Sequence, residues 1–460
     1  MTAVSGWEAA IAHPGDDAYE AATRVFNLAA PATPAAAVTA VTIDQIRGAL
    51  RYAVADDLPV RVHVTGHGAA AARAMDGALL IRVDLAGGVE IDAQRRLARI
   101  PAGAHWDAVI EAAAAHGLAA PHGSSPIVGV VGYLLRGGVS FYGRRVGLAA
   151  NSVRALELIT ADGDLHRADA STDSELLWAM RGGGGGFGIV TAVELELFPA
   201  ETVMTGAAYW SAAYAEPLLA AWLAWSVDAP REVTTTLRVL NLPAVPEVPA
   251  ALSAGPVVCV DGAVLSPAGD PASVQHYADD LLEPLRAVAA PILDTWQLAA
   301  PPAVAHAHMD PGEPFPIYAD HMLLEELGQA GAAEFLRVTG PASGSVLTTA
   351  ELRQLGGALS EAGEHDGVLG HLDARYAYVG SGVPFGHVTA KAIMERCAAV
   401  RDALGRWDVG RTAPTFVGTV GQPQGHLSPQ QVRAVDQVRA RVDPAGRFRG
   451  DIAPGSTERY

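Results

Sequence analysis

Between Thr42 and Asp57 apolar residues recur at Ile46, Ala49, Leu50 and Ala53, the spacing of one helix face, and Thr42 with Gln45 forms a capping box at the start. Behind Leu58-Pro59 the period changes to strict alternation at Val60, Val62 and Val64, so a helix feeds a strand. Ala78 to Leu85, Val89 to Asp92 and Leu97 to Pro101 predict further short strands. His105 to His116 predicts an amphipathic helix that turns Trp106, Val109, Ile110 and Ala113 inward. From Val153 two alternating runs meet at Asp162-Gly163, which predicts a hairpin with a two-residue turn.

A short helix, Ser174 to Met180, then enters the glycine run Arg181 to Gly188, which leads into a strand from Ile189 to Phe198. That order decides what the run is not. A dinucleotide fingerprint needs strand, glycine loop, helix, because the pyrophosphate rests on the amino end of the following helix. The G-x-G-x-x-G match at Gly183, Gly185 and Gly188 is therefore read as an accident of composition.

From residue 201 to about residue 425 prolines are frequent (Pro243, Pro246, Pro249, Pro301, Pro302, Pro311) and helical and strand-like runs alternate irregularly, as in a second α+β domain. Ser428-Pro429-Gln430-Gln431 supplies an N-cap, a first-position proline and a capping-box glutamine. Val432, Val435 and Val438 then form the stripe of a terminal helix that docks on a core. There is no internal repeat.

Composition narrows the classes. Half of the 460 residues are hydrophobic and 18% are charged, which excludes disorder. The length allows two or three core-bearing units at roughly 150 residues each, with a cleft between them. Acidic residues outnumber basic ones 50 to 32, and the net charge of −18 repels nucleic acid and anionic membranes. Lys391 is the only lysine, and this arginine bias with abundant alanine fits GC-rich coding and a bacterial source. Cys259 and Cys397, far apart in apolar surroundings, read as buried thiols rather than a disulfide or metal pair. The amino end lacks a basic start and an apolar core, and no apolar run is long enough for a membrane span, so a cytoplasmic protein is expected. Neither H-E-x-x-H nor paired-cysteine spacing occurs, and G-x-S-x-G is absent, so metal and hydrolase chemistry are not expected.

Two segments carry candidate chemistry. VTGHGAA, Val64 to Ala70, sets His67 between glycines directly after a strand; this is either an anion-approaching turn or a plain turn histidine with a hydrogen bond. SSPIVGVVGYLLRGGV, Ser124 to Val139, is glycine-dense yet apolar, and reads equally as a backbone cradle for a flat ligand or as a packing motif.

Taken in order, the strand ending in Gly-His, the block PxVGVxGxxxxGGxxxxxRxxGLAxxxV from Pro126 to Val153, and WAMRGGGGGFGIVT from Trp178 resemble the berberine-bridge-enzyme group of FAD-linked oxidases, within the vanillyl-alcohol-oxidase (PCMH-type) flavoproteins. ATRVFN (Ala22 to Asn27), LLIRVDLAGGVEID (Leu79 to Asp92) and VDPAGRFRGDIAP (Val442 to Pro454) agree with it. The resemblance implies an α+β fold: a two-lobed PCMH-type FAD-binding domain, residues 1–203 with 425–460, and an α+β substrate domain with an antiparallel sheet at 204–424.

It also implies FAD joined covalently through His67, and through that residue alone, because Ser125 stands where some members have a second, cysteine link. The flavin contacts it implies after the first strand are Val64, Thr65, Gly66, Gly68, Ala69 and, further on, Leu85. In the glycine-dense block they are Gly123, Ser124, Val128, Gly129, Gly132 and Tyr133, then Gly137, Gly138 and Ala149. Gly188, Ile189, Val190 and Phe416 complete the set. Arg136 replaces a glycine usual in the block and faces either flavin or solvent.

The activity implied is oxidation of a small organic substrate of secondary metabolism: hydride passes to flavin N5, and dioxygen reoxidises the flavin with release of peroxide. Family oxidases often carry Tyr-x-Asn ahead of the terminal helix. APTFVGTVG, Ala413 to Gly421, puts Phe416 there, or Thr415 in a shifted register, and neither Phe416 nor Gly418 can shuttle a proton. Another base is therefore required. Tyr133, Tyr142 and His321 are candidates beside Phe416, with His308, Tyr318, Tyr376 and Tyr378 behind them. HMDPGEPFPIYADH, His308 to His321, otherwise reads as a proline-rich surface turn. The alternative is a redox-neutral cyclisation in which FAD is structural or electrostatic. Partners implied are the substrate and dioxygen, with the chain a monomer or homodimer.

Overall fold

The computed structural model describes residues 10–72, 75–265, 270–422 and 425–448. The end of the tail motif, from residue 449, lies outside them, as do residues 1–9. Helix Ile43–Ala55 buries the predicted face, and the Thr42 hydroxyl accepts from the Gln45 backbone as its cap. It links parallel strands of a three-stranded sheet ordered Ala36–Ala40, Leu79–Val83, Val60–His63. A five-stranded antiparallel sheet follows, ordered Glu90–Asp92, Leu97–Pro101, Ile189–Glu196, Val153–Ile159, Leu165–Asp169.

Several elements are trimmed relative to the sequence pattern: the strand after Ala78 is Leu79–Val83 and the helix after His105 is Trp106–Ala114. The hairpin turn is corrected. Gly163 donates back to Thr160 with φ +88° and Thr160 donates to Asp164, so the loop is Ala161 to Gly163, the longer type with a left-handed glycine.

The third sheet is eight-stranded and antiparallel; its main path runs Leu293–Asp294, Val203–Ser211, Val257–Leu265, Val233–Leu240, Thr349–Gln354, Tyr376–Gly382, Tyr318–Leu324. Helices Ala215–Ser226, Pro271–Val288, Gly328–Thr339 and Ala390–Leu404 cover one face with Leu218, Trp222, Leu281, Phe335 and Ile393. The opposite face turns toward the smaller sheets, where Leu323, Leu355 and Ala377 share a core with Trp106, Leu134 and Leu156. The arginine of the Pro126–Val153 block, Arg144, ties the two parts together. Buried, it donates to the carbonyls of Val233 (2.8 Å), Ala229 (2.7 Å) and Leu355.

Helix Pro429–Val442 has the complete capping box at Ser428 and Gln431, and sends Val435 and Val438 into the same core. Beyond it Phe448 bridges to Val60 and packs on the three-stranded sheet. Cys259 and Cys397 are buried free thiols. Among the described residues no helix is long and apolar enough to cross a membrane.

Candidate functional site

A cavity of about 430 Å³ lies where the three-stranded sheet, the glycine-dense block and the bare face of the large sheet converge, within the size range of cofactor and ligand pockets. His67 forms its floor. The chain leaves strand Val60–His63 and turns at Gly66, φ +69°, where a Cβ would stand 2.8 Å from the Val25 backbone, so only glycine fits the turn. The His67 ring stacks on Phe26, with centroids 3.9 Å apart and planes 12° off parallel. Its Nδ1 lies 2.7 Å from the Thr65 hydroxyl, while Nε2 is buried without a hydrogen-bond partner.

Burial pushes the imidazole down to about 4, the nearby His105 adding to the effect and Asp310 opposing it. His67 is therefore neutral at physiological pH, with one ring nitrogen carrying a lone pair. A neutral imidazole with an unpartnered nitrogen, in a glycine-walled apolar cavity, fits the tether of a flavin.

The second wall is the stretch from Gly123 to Val139. Ser124, Ser125, Val128, Gly132 and Tyr133 line the cavity. Tyr133 lies on the short helix Val130–Leu135, and its hydroxyl is buried and unpartnered. Burial raises its pKa far above the ordinary phenol value, so it stays protonated and is a donor, not a base. Gly137 and Gly138 stay behind the wall; a Cβ on Gly138 would overlap the Tyr133 ring, so the glycine serves by making room for the tyrosine. Arg136 resolves toward the cavity, donating to the Gly68 carbonyl at 3.3 Å.

The glycine run supplies a third wall at Gly184, Gly185, Gly186 and Gly188. Its rejection as a dinucleotide fingerprint stands on element order, but the reading as mere composition is corrected. Gly184 donates to the Leu135 carbonyl (3.0 Å), and Arg439 of the terminal helix donates to the carbonyls of Gly183 (2.6 Å) and Gly185 (3.1 Å). These bonds hold the bare backbone against the cavity.

The reading of residues 308–321 as a surface turn holds for the exposed Met309 to Pro314, but the same stretch also lines the site. The strap carries Asp310, Pro311, Phe315 and Ile317 into the cavity wall. It is pinned by the Ser124 hydroxyl donating to Asp310 (2.6 Å), by Phe26 and Leu28 backbone pairing with Phe315, and by Asn27 bracketing Ile317. The bare sheet face adds Arg353, and the segment ahead of the terminal helix adds Thr415, Phe416 and Val417.

Of the residues singled out in the sequence, Val64, Thr65, Gly66, His67, Gly68 and Ala69 line the cavity, as do Gly123, Val190 and Phe416. Leu85, Gly129, Ala149 and Ile189, like Gly137 and Gly138, do not. Gly129 is occupied in backbone pairing with His105, and Ile189 is in the core of the three-stranded sheet.

Two catalytic candidates are corrected. Tyr142 is buried away from the cavity, its hydroxyl directed at the Pro301 carbonyl (3.4 Å). His321 is a structural fastener: Nδ1 binds the Tyr378 carbonyl (2.7 Å), Nε2 accepts from the Ala413 backbone (3.0 Å), and burial holds its pKa at about 4. Tyr376 bonds Ser226 and Tyr378 lies on the helix-covered face, so neither reaches the cavity. Arg353 was missed because it is distant in sequence from the other lining residues and belongs to no spaced motif, and Asp310 and Phe315 lie in the 308–321 stretch without having been singled out.

The comparisons agree with this geometry. Residues 34–169 match the family described as an FAD binding domain. The chain is 30% identical over 224 residues to (R)-6-hydroxynicotine oxidase of Paenarthrobacter nicotinovorans, covering 48% of each. It thus spans about half the length of the curated relatives it matches. In three dimensions it follows a berberine-bridge-enzyme-like protein of Physcomitrella patens with a TM-score of 0.80 over 98% of both chains at 18% identity. It follows the glucooligosaccharide oxidase of Acremonium strictum, whose FAD is a 6-S-cysteinyl, 8α-N1-histidyl flavin, with a TM-score of 0.77 over 97% of both at 17% identity. The match over residues 34–169 thus marks an FAD-binding domain. Over nearly its whole length the chain shares the fold of the berberine-bridge-enzyme-like protein.

Proposed function

We propose that the protein is an FAD-linked oxidase of a small organic substrate of secondary metabolism, with the flavin held covalently by His67 alone. The observation that carries this reading is the buried, neutral His67 imidazole with an unpartnered nitrogen in the cavity. Ser125 at the cavity wall offers no thiol for a second link. Bound FAD supplies the acceptor for a substrate hydride, and dioxygen then carries the electron pair away as hydrogen peroxide.

The chain's own groups have separable tasks. Phe26 and Thr65 orient the His67 ring, Tyr133 donates a hydrogen bond into the cavity, and the strap walls one side of it. Among the described residues lining the cavity Asp310 is the one carboxylate, and it takes the proton released as a substrate alcohol or C–H is oxidised.

Acid precipitation of the purified protein tests the tether: yellow colour stays in the pellet, one FAD mass is found on the peptide containing His67, and both vanish in His67→Ala. In Asp310→Asn the flavin remains while peroxide release falls by about a hundred- to ten-thousand-fold. Flavin wholly in the supernatant of the wild type would overturn the tether.

One observation favours a second reading, a redox-neutral cyclisation with FAD as a structural or electrostatic surface. Phe416, which has no proton to move, lines the cavity where the family resemblance implies a tyrosine. Product mass separates the two: oxidation removes two hydrogens, and cyclisation leaves the mass unchanged.

A further inference from the structure

The bare face of the large sheet carries a buried charge cluster. The register places Arg238 opposite Glu351, and Thr236 opposite both Asp261 and Arg353, so all four charged side chains share the face turned toward the cavity. His308 joins them from the start of the strap, and all five residues are less than a tenth exposed.

His308 decides the charge. Its Nδ1 is 2.9 Å from Asp261 and its Nε2 3.2 Å from Glu351. Ionised carboxylates only accept, so both ring nitrogens donate and the ring is an imidazolium. Arg238 pairs with Asp261 and donates to the His308 carbonyl (3.0 Å). Within the cluster three cations thus face two carboxylates, and the further carboxylate that acts on His308 is Asp310. Asp310, the next carboxylate along the chain, is exposed and engaged by Ser124.

The excess falls on Arg353. Its contact to Glu351 is long, 3.4 Å, and its Nε is buried without a partner. Its guanidinium carbon lies 5.0 Å from the ring centroids of both Phe141 and Phe416, and the residue lines the cavity. The aromatic rings hold the guanidinium in place without neutralising it.

We propose that Arg353 recognises an anionic group on the substrate, and that the substrate is an organic acid whose carboxylate pairs with its guanidinium. Guanidinium and carboxylate match in shape as well as charge. Phe416 then has a definite role: it supports the anion-binding arginine. This inference rests on reading the cavity as the substrate-bearing site.

Calorimetric titration of the purified holoprotein with benzoate and with its neutral isostere benzamide tests it. The wild type binds benzoate roughly ten- to a hundred-fold more tightly than benzamide, the range expected for one charge-assisted contact. Arg353→Met loses that preference while its benzamide affinity is unchanged, and Arg353→Lys, which keeps the charge and guards against a misfolded variant, retains part of it. Equal affinities in the wild type, or a preference that survives Arg353→Met, would overturn the proposal. A surviving preference with a lowered flavin reduction potential would assign the charge to the reduced flavin instead, and so also overturns it. Because heat reads binding without flavin, the two readings fail separately. Flavin-loaded protein with no benzoate preference overturns only the anion site, whereas a preference abolished by Arg353→Met in protein carrying no FAD supports the site and overturns the flavin reading.

Discussion

At the residue scale, neighbouring glycines of one block have opposite duties. Gly132 faces the cavity, with nothing within 4 Å of where its Cβ would be, whereas Gly138 has φ +68° and its Cβ would overlap the Tyr133 ring. Gly138→Ala therefore combines backbone strain with overpacking and costs about 1–3 kcal/mol, a thermal melt several degrees lower. Gly132→Ala leaves the melt unchanged and lowers the flavin content, read from absorbance, because its methyl enters the cavity. Equal melts for the two variants would contradict this division of labour. The tight turn around His67 was readable from the sequence because its flanking glycines are adjacent to it in the chain, while its role as a tether came only from the family resemblance. Arg353 was not readable, since its ring partners Phe141 and Phe416 come from two separate segments far from it in the chain.

At the scale of elements, the glycine run depends on a helix that lies far along the chain. Arg439 binds two of its carbonyls and lies 4.9 Å over the Phe187 ring, and Arg441 of the same helix pairs with Asp173, the cap of helix Ser174–Met180. In Arg439→Met the amides of residues 181–188 exchange about tenfold faster by mass-resolved hydrogen exchange, while those of strand Val257–Leu265 are unchanged. Uniform acceleration would mean that the helix supports the whole fold rather than this wall. The helix itself was predictable from Ser428, Pro429 and the valine stripe. What it rests on was not, because capping signals describe one element and say nothing about its neighbour.

At the scale of the whole molecule, buried histidines set opposing limits on stability. Burial holds His63, His122 and His321 at about 4, below the ordinary 6.5, so the unfolded chain binds more protons than the native one between those values. Their contribution is complete above pH 6.5 and is lost as the pH falls toward 4. His308 has the opposite sign: held up at about 9 against the cost of burial by Asp261 and Asp310, it stabilises below pH 6.5, and that contribution is lost as the pH rises through 9. Thermal melts across pH 4 to 10 therefore give a dome with its top near neutrality. In His308→Gln the alkaline side flattens while the acid side is kept; an unchanged alkaline limb would remove His308 from this role.

The sequence by itself determined the local events: the capped helices, the alternation of the small sheets, the tight turn that presents His67, and the order of elements that excludes a dinucleotide fingerprint. These follow from neighbouring residues and from backbone geometry, which act over a few positions. Only the tertiary structure decided which residues meet. It placed the glycine run and the 308–321 strap on the cavity, withdrew Tyr142 and His321 from it, and gathered five buried charges on one sheet face. Burial and charge pairing depend on segments hundreds of residues apart, and no period along the chain encodes which partner will stand opposite.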